Sequence, residues 1–250
     1  MLKKRIIPCL DIRDNQVVKG IHFASLTAAG DPVVLARNYA AQGADELVFL
    51  DITATQEQRI PFRELVYRIA QAIDIPFTVG GGIRSVQDGQ VLLESGADKL
   101  SINSASINNP QLLSKLSEAF GSQCVVQAID TRYTGKQWEV FTHGGSKATG
   151  ISCLDWAREA SRRGAGEILL TAMEHDGAKK GFALEITAMV AEAVSVPVIA
   201  SGGAGTVQHF ETLFTETKAG AALAASIFHF GDILIPELKQ FLKQQKIPVR

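Results

Sequence analysis

The chain has 250 residues, 46% of them hydrophobic, enough for one large core. The formal net charge is −1 with Lys and Arg spread along the chain, so no nucleic-acid-binding stripe is expected and anion binding is left to local sites. No run reaches the about 18 apolar residues of a membrane span, and the basic start, Met1 to Pro8, has no apolar leader core or cleavage motif. The first apolar run, 5–11, reads as a strand ending at Asp11, and a helix is expected near 33–42. A strand at 46–51 ends at Asp51 and precedes a helix at 62–73. Strand 76–80 is followed by helix 87–95, strand 98–103 by helix 110–119, and strand 124–130, ending at Asp130, by helix 152–163. Strand 167–172 precedes helix 184–194, strand 197–201 precedes helix 208–216, and strand 221–226 precedes the last helix, 233–245.

Eight strands that alternate with helices predict βαβ units and a parallel sheet. A closed (β/α)8 barrel of the TIM type is the leading fold, with an open doubly wound sheet as the alternative. No linker or low-complexity stretch interrupts the pattern, so residues 1–250 read as one barrel domain. Cys9, Cys124 and Cys153 are scattered and odd in number, which fits a reducing cytoplasm rather than a disulfide or zinc framework.

The chain also repeats itself. Gly43-Ala44-Asp45-Glu46 matches Gly164-Ala165-Gly166-Glu167, and Gly81-Gly82 matches Gly202-Gly203, both at an offset of 121. Pro76 pairs with Pro197, and Ser85-Val86-Gln87 with Thr206-Val207-Gln208. Asp11 and Asp130 close the first and fifth strands at an offset of 119. Two related half-barrels account for this pattern.

The repeated positions carry the chemistry. Gly80-Gly81-Gly82 follows the third strand, and Ser201-Gly202-Gly203-Ala204-Gly205 follows the seventh. Glycine lets backbone N–H groups approach an anion, and the following helix offers its positive end. One βα unit later, Asn103-Ser104 and Ala225-Ser226 supply amide and hydroxyl groups that can complete a phosphate nest. Two such sites on opposite sides of one barrel suit an elongated bisphosphate. Asp176-Gly177, after the sixth strand, offers a third anion contact. A carboxylate at the C-terminal end of a barrel strand lies in the active-site mouth, which makes Asp11 and Asp130 the candidate acid–base pair. Asp51 and Thr171 are second-tier candidates, and Asp51 reads as a support for its neighbours. The five histidines lack metal-ligand spacing, the glycine loops lack the Rossmann spacing, and no nucleophile elbow occurs, so neither metal nor cofactor is expected.

At the other end of the strands, Arg5, Glu46, Lys99 and Glu167 sit at the starts of strands one, two, four and six. Side-chain alternation can turn all four inward, where two acids and two bases would pair in a ring closing the barrel bottom.

Together these residues resemble the cyclase subunit of imidazole glycerol phosphate synthase, from histidine biosynthesis. The motifs are Arg5 to Asp11 (RIIPCLD), Val17-Val18-Lys19-Gly20, Gly43 to Thr53 (GADELVFLDIT), Gly80 to Arg84 (GGGIR) and Gly96 to Lys99 (GADK). They continue with Arg163 to Ile168 (RGAGEI), Ser201 to Gly205 (SGGAG) and Ala224 to His229 (AASIFH), and cover nearly the whole chain. The resemblance implies that ammonia, delivered by a glutaminase subunit in a heterodimer, attacks the keto group of a phosphoribulosyl-formimino carboxamide ribotide. Ring closure and cleavage then give imidazole glycerol phosphate and aminoimidazole carboxamide ribotide. It implies the catalytic pair Asp11 and Asp130, a mobile first loop carrying Lys19, and substrate contacts at Gly82, Asn103, Ser104, Thr171, Asp176, Gly177, Ser201, Gly203 and Ser226. It further implies that the partner docks on the barrel bottom, that the ring gates ammonia, and that Asp98 contacts the glutaminase. The chain departs from the family's pattern at Thr27-Ala28, where an Arg-Asp pair is usual, and at Ala178 and Ala183. Two alternatives stand beside this one: the sister barrel isomerase of the same pathway, and a non-catalytic barrel that activates a glutaminase.

Overall fold

A computed structural model describes residues 3–14, 16–21, 24–54 and 63–250, with backbone alone for 19–21 and 24–29. The strands are β1 (Arg5–Arg13), β2 (Gln16–Ile21), β3 (Ala24–Gly30), β4 (Leu47–Asp51), β5 (Phe77–Gly80) and β6 (Lys99–Ile102). They continue as β7 (Val125–Tyr133), β8 (Trp138–Thr142), β9 (Lys147–Ser152), β10 (Glu167–Ala172), β11 (Val198–Ser201) and β12 (Ala221–Ala224). The helices are α1 (Pro32–Ala41), α2 (Arg63–Ala70), α3 (Val86–Glu94), α4 (Ser104–Asn108), α5 (Gln111–Phe120) and α6 (Cys153–Arg162). After them come α7 (Leu184–Ala193), α8 (Val207–Glu216), α9 (Ser226–His229) and α10 (Ile235–Gln244).

Eight strands pair in parallel in the order β1, β4, β5, β6, β7, β10, β11, β12, and β12 returns to β1. The sheet closes, so the chain is a (β/α)8 barrel and the open-sheet alternative falls. Each expected strand and helix is present within a few residues of its expected bounds. The period-2 alternation divides each strand between two cores. Ile6, Leu10 and Ile12 face the helices, whereas Ile7 and Cys9 fill the barrel with Val48, Val126, Leu169, Ile199 and Leu223.

Two excursions were not expected. β1 runs two residues past Asp11 and pairs antiparallel with β2, which pairs with β3. β7 runs three residues past Asp130 and pairs antiparallel with β8, which pairs with β9. Both hairpins leave the ends of the strands that carry the two aspartates, so the duplication extends to the loops. Helix starts repeat as well. At α3 the Asp88 carboxylate accepts from Arg84 N and Ser85 N at 2.9 and 3.0 Å. At α8, 121 residues later (209 − 88), His209 Nδ1 accepts from Gly205 N and Thr206 N at 3.1 and 3.3 Å. Each satisfies N–H groups that a helix start leaves without an intrahelical partner.

Candidate active site

At the C-terminal ends of the strands lies a cavity open to solvent. Its lining includes Asp11, Asp130, Thr171, Asp176, Gly177, Ser201, Gly203 and Ser226 together with Cys9, Leu50 and Leu169. Eight of the sequence-derived candidates thus meet at one mouth. Asp11 comes from β1 and Asp130 from β7, on opposite sides of the barrel order. Thr171 pairs in register with Asp130 on one side and Ser201 on the other. The Cys9 thiol donates to Asp11 Oδ1 at 3.7 Å.

Asp130 is the electrostatically distinctive member. Burial pushes its carboxyl up, the neighbouring Asp176 charge adds to the rise, and a hydrogen bond from Asn103 opposes it, leaving the group at about 7. That hydrogen bond runs from Asn103 Nδ2 to Asp130 Oδ2 at 2.9 Å. Asn103 was read in the sequence as a phosphate contact; its side-chain link to Asp130 joins residues 27 apart and has no local sequence signal.

The two glycine loops take the backbone that glycine allows. Gly81 and Gly82 have φ of +95° and +68°, and Gly202 and Gly203 have +91° and +101°. A Cβ at Gly81 would lie 2.2 Å from the Asp51 carbonyl oxygen, and one at Gly203 would lie 1.9 Å from that of Gly181. Both loops are packed too closely for any other residue. Gly82, Asn103 and Ser104 sit at the ends of β5 and β6, beside β7. The Ser104 hydroxyl accepts from His143 N at 2.9 Å, which ties the tip of the β8–β9 hairpin to this loop. That contact was missed in the sequence, although Thr142-His143-Gly144-Gly145 is a turn signal. Asp51 is buried and accepts from Thr53 N and Ala54 N at 3.2 and 3.0 Å, so it braces its loop as expected. The backbone of Lys19 lies in β2 opposite Thr27; its side chain, and those of Thr27 and Ala28, lie outside the described residues. Ala178 N donates to the His175 carbonyl, and Ala183, buried, begins α7 without a capping side chain.

At the barrel bottom the four charged residues form the ring. Arg5 donates to Glu46 at 2.7 Å and to Glu167; Lys99 donates to Glu46 at 2.9 Å and to Glu167 at 3.1 Å. For Glu46, burial pushes the carboxyl up, but Arg5 and Lys99 outweigh it and hold the group below its ordinary range. For Arg5, burial disfavours the charge and the two glutamates outweigh it in turn. Asp98 is exposed beside the ring, and its carboxylate accepts from Phe77 N at 2.9 Å. Among the described residues no three His, Cys, Asp or Glu side chains are arranged to hold a metal, and no helix is long and apolar enough to cross a membrane.

A family model described as "Histidine biosynthesis protein" matches residues 5–234. A Cytophaga hutchinsonii protein named imidazole glycerol phosphate synthase subunit HisF is 58% identical over 250 residues, all of both chains. Proteins of the same name from Bacteroides fragilis and Natranaerobius thermophilus are 58% and 55% identical, again over the whole of both chains. The duplicated barrel, its paired aspartates and these full-length matches place the chain in the histidine biosynthesis protein family.

Proposed function

We propose that residues 1–250 work as one barrel domain, the cyclase subunit of imidazole glycerol phosphate synthase, in the cytoplasm. It takes ammonia from a glutaminase partner and converts the phosphoribulosyl-formimino carboxamide ribotide into imidazole glycerol phosphate and aminoimidazole carboxamide ribotide. The observation that carries this reading is the pairing of Asp11 and Asp130 at one cavity, flanked by two glycine loops of matched conformation. A carboxyl near 7 holds both protonation states at neutral pH, which suits a group that must give and take a proton. In this reading Asp130 protonates the keto oxygen as ammonia adds to the carbon, and Asp11 takes the proton that the nitrogen sheds. Gly82 with the backbone of Asn103 and with Ser104 grips one phosphate; Gly177, Gly203 and Ser226 grip the other, with Lys19, Thr171, Asp176 and Ser201 closing on the substrate between them. The sister isomerase and the non-catalytic barrel lose ground, because the full-length relatives carry the synthase name and Asp11 and Asp130 line one cavity.

The test is turnover with the bisphosphate substrate and ammonium salt. Asp11→Asn and Asp130→Asn should each lower the rate by about 10²–10⁴-fold, the usual contribution of a proton-transfer group, while the fold survives. Near-normal turnover in either variant would remove that residue from the catalytic pair.

A further inference from the structure

In a duplicated barrel, matched positions that differ are informative. β6 runs beside β7 with Leu100, Ser101 and Ile102 opposite Val125, Val126 and Gln127, so the next residue, Asn103, follows beside Ala128. β12 runs beside β1 with Ala224 opposite Pro8, so Ala225 follows beside Cys9. Ala128 lies two residues before Asp130 and Cys9 two before Asp11. Asn103 and Ala225 therefore hold the same place relative to the two aspartates. Their backbones agree: each starts a short helix, with φ, ψ of −125°, −89° at Asn103 and −125°, −76° at Ala225. The side chains do not agree, since one half carries an amide where the other carries a methyl group.

The amide is committed to Asp130. Its Nδ2 donates to Asp130 Oδ2 at 2.9 Å and approaches the Phe141 carbonyl oxygen at 3.4 Å. Two acceptors on that side fix which end of the amide is the nitrogen. Among the described residues the other end, Oδ1, is buried with no hydrogen-bond partner from the protein. Buried polar atoms are rarely left so, and the exceptions call for an explanation.

We propose that Asn103 is a positioning residue that orients the Asp130 carboxyl and favours its charged form. This deepens the cyclase reading and rests on it. Among the described residues lining the mouth, the other titratable groups are Asp176, on the loop after β10, Asp11 across the cavity, and the Cys9 thiol. Burial and Asp176 favour the protonated form of Asp130, and Asn103 is the opposing influence. Without it the carboxyl would stay protonated to higher pH, moving the range in which Asp130 both gives and regains a proton above neutrality.

The experiment uses the full chain with Asn103→Ala and Asn103→Ser. Serine is too short to reach Asp130 but caps a helix well, which keeps a folded variant in hand. The Asp130 carboxyl is titrated by carbon NMR without substrate, its resonance assigned by its loss in Asp130→Asn. Both variants should raise its midpoint by about one pH unit or more, the worth of one hydrogen bond to a charged group. The limb of the kcat–pH profile with ammonium salt should move by the same amount. An unchanged Asp130 titration in the folded variants overturns the proposal, whatever the rates. A shifted titration in the variants, together with a wild-type protein that makes neither product, instead overturns the cyclase reading.

Discussion

Arg5 and Lys99 pair with the same two glutamates, yet the geometry assigns them unequal weight. The Arg5 side chain is 10% exposed and the two carboxylates 6% and 7%, whereas Lys99 is 19% exposed. Arg5→Met leaves two buried carboxylates sharing the Lys99 ammonium, with the more exposed Arg250 guanidinium 3.9 Å from Glu46, and removing one partner of a buried pair costs about 3–5 kcal/mol. Lys99→Met leaves Arg5 still bridging both acids, and the loss should be nearer about 1–2 kcal/mol, between the buried and exposed cases. The pH dependence carries a sign. In the wild type the folded-state carboxyl of Glu46 is held down, so its stabilisation is present above the unfolded value of 4.5 and is lost as pH falls through the folded one. In Arg5→Met the main restraint on that carboxyl is gone and burial raises it, so a proton relieves the ring and the deficit against wild type should shrink from pH 8 to pH 5. Urea unfolding at both pH values, followed by Trp138 and Trp156 fluorescence, measures this. Equal deficits under about 1 kcal/mol for the two variants, or an Arg5→Met deficit that grows toward acid pH, would refute the reasoning.

Three further outcomes are expected. With a glutaminase partner bound, Lys99→Ala should depress glutamine-dependent turnover more than turnover with free ammonia, and equal losses would leave the ring a structural plug. Gly203→Ala should raise the substrate KM at least about tenfold and lower Tm, because its Cβ meets Gly181 at 1.9 Å, whereas Gly43→Ala, at φ +82° with nothing within 4 Å, should cost only about 1 kcal/mol of backbone strain. Asp130 has a folded-state carboxyl raised from 3.8 to about 7, so the stability linked to it is full below 3.8 and lost as pH rises through 7. Asp130→Asn buries no charge, and its stability relative to wild type should therefore improve by about 1–3 kcal/mol from pH 4 to pH 8 in paired urea melts.

The barrel was legible because its strands and helices carry different periods, and the glycine loops because only glycine takes φ near +100° against a carbonyl oxygen. The β8–β9 hairpin was missed although its signals are ordinary. Trp138-Glu139-Val140-Phe141-Thr142 is rich in β-formers and is bounded by Thr134-Gly135 and Gly144-Gly145, but βα alternation drew the whole stretch into a connection. Val17-Val18 of β2 went the same way. The charged ring was legible from alternation alone, since Arg5, Ile7, Cys9 and Asp11 point into the barrel one after another. Asp98 was expected to serve a partner; its carboxylate also holds a backbone N–H of β5, as Asp45 holds Ile6 N at 2.8 Å. Such cross-strand contacts depend on register, which composition and spacing do not specify.

Duplication also explains why the candidate site was easier to read than its inner workings. What both halves share is what each must do alone: a carboxylate at a strand end, a glycine loop with positive φ, a capped helix behind it. These features recur at fixed offsets and stand out in the sequence. What differs between the halves bears on what the two carboxylates would do together in the proposed reaction, where one gives a proton and the other takes one. The differences are single side chains on a common backbone: Asn103 against Ala225 beside the aspartates, and Asp88 against His209 at the helix caps. Neither difference breaks a motif, and neither has a signal of its own in the sequence. Each acquires meaning once the two halves are laid over one another, when the amide of Asn103 is found on Asp130 and the matched position beside Asp11 holds a methyl group.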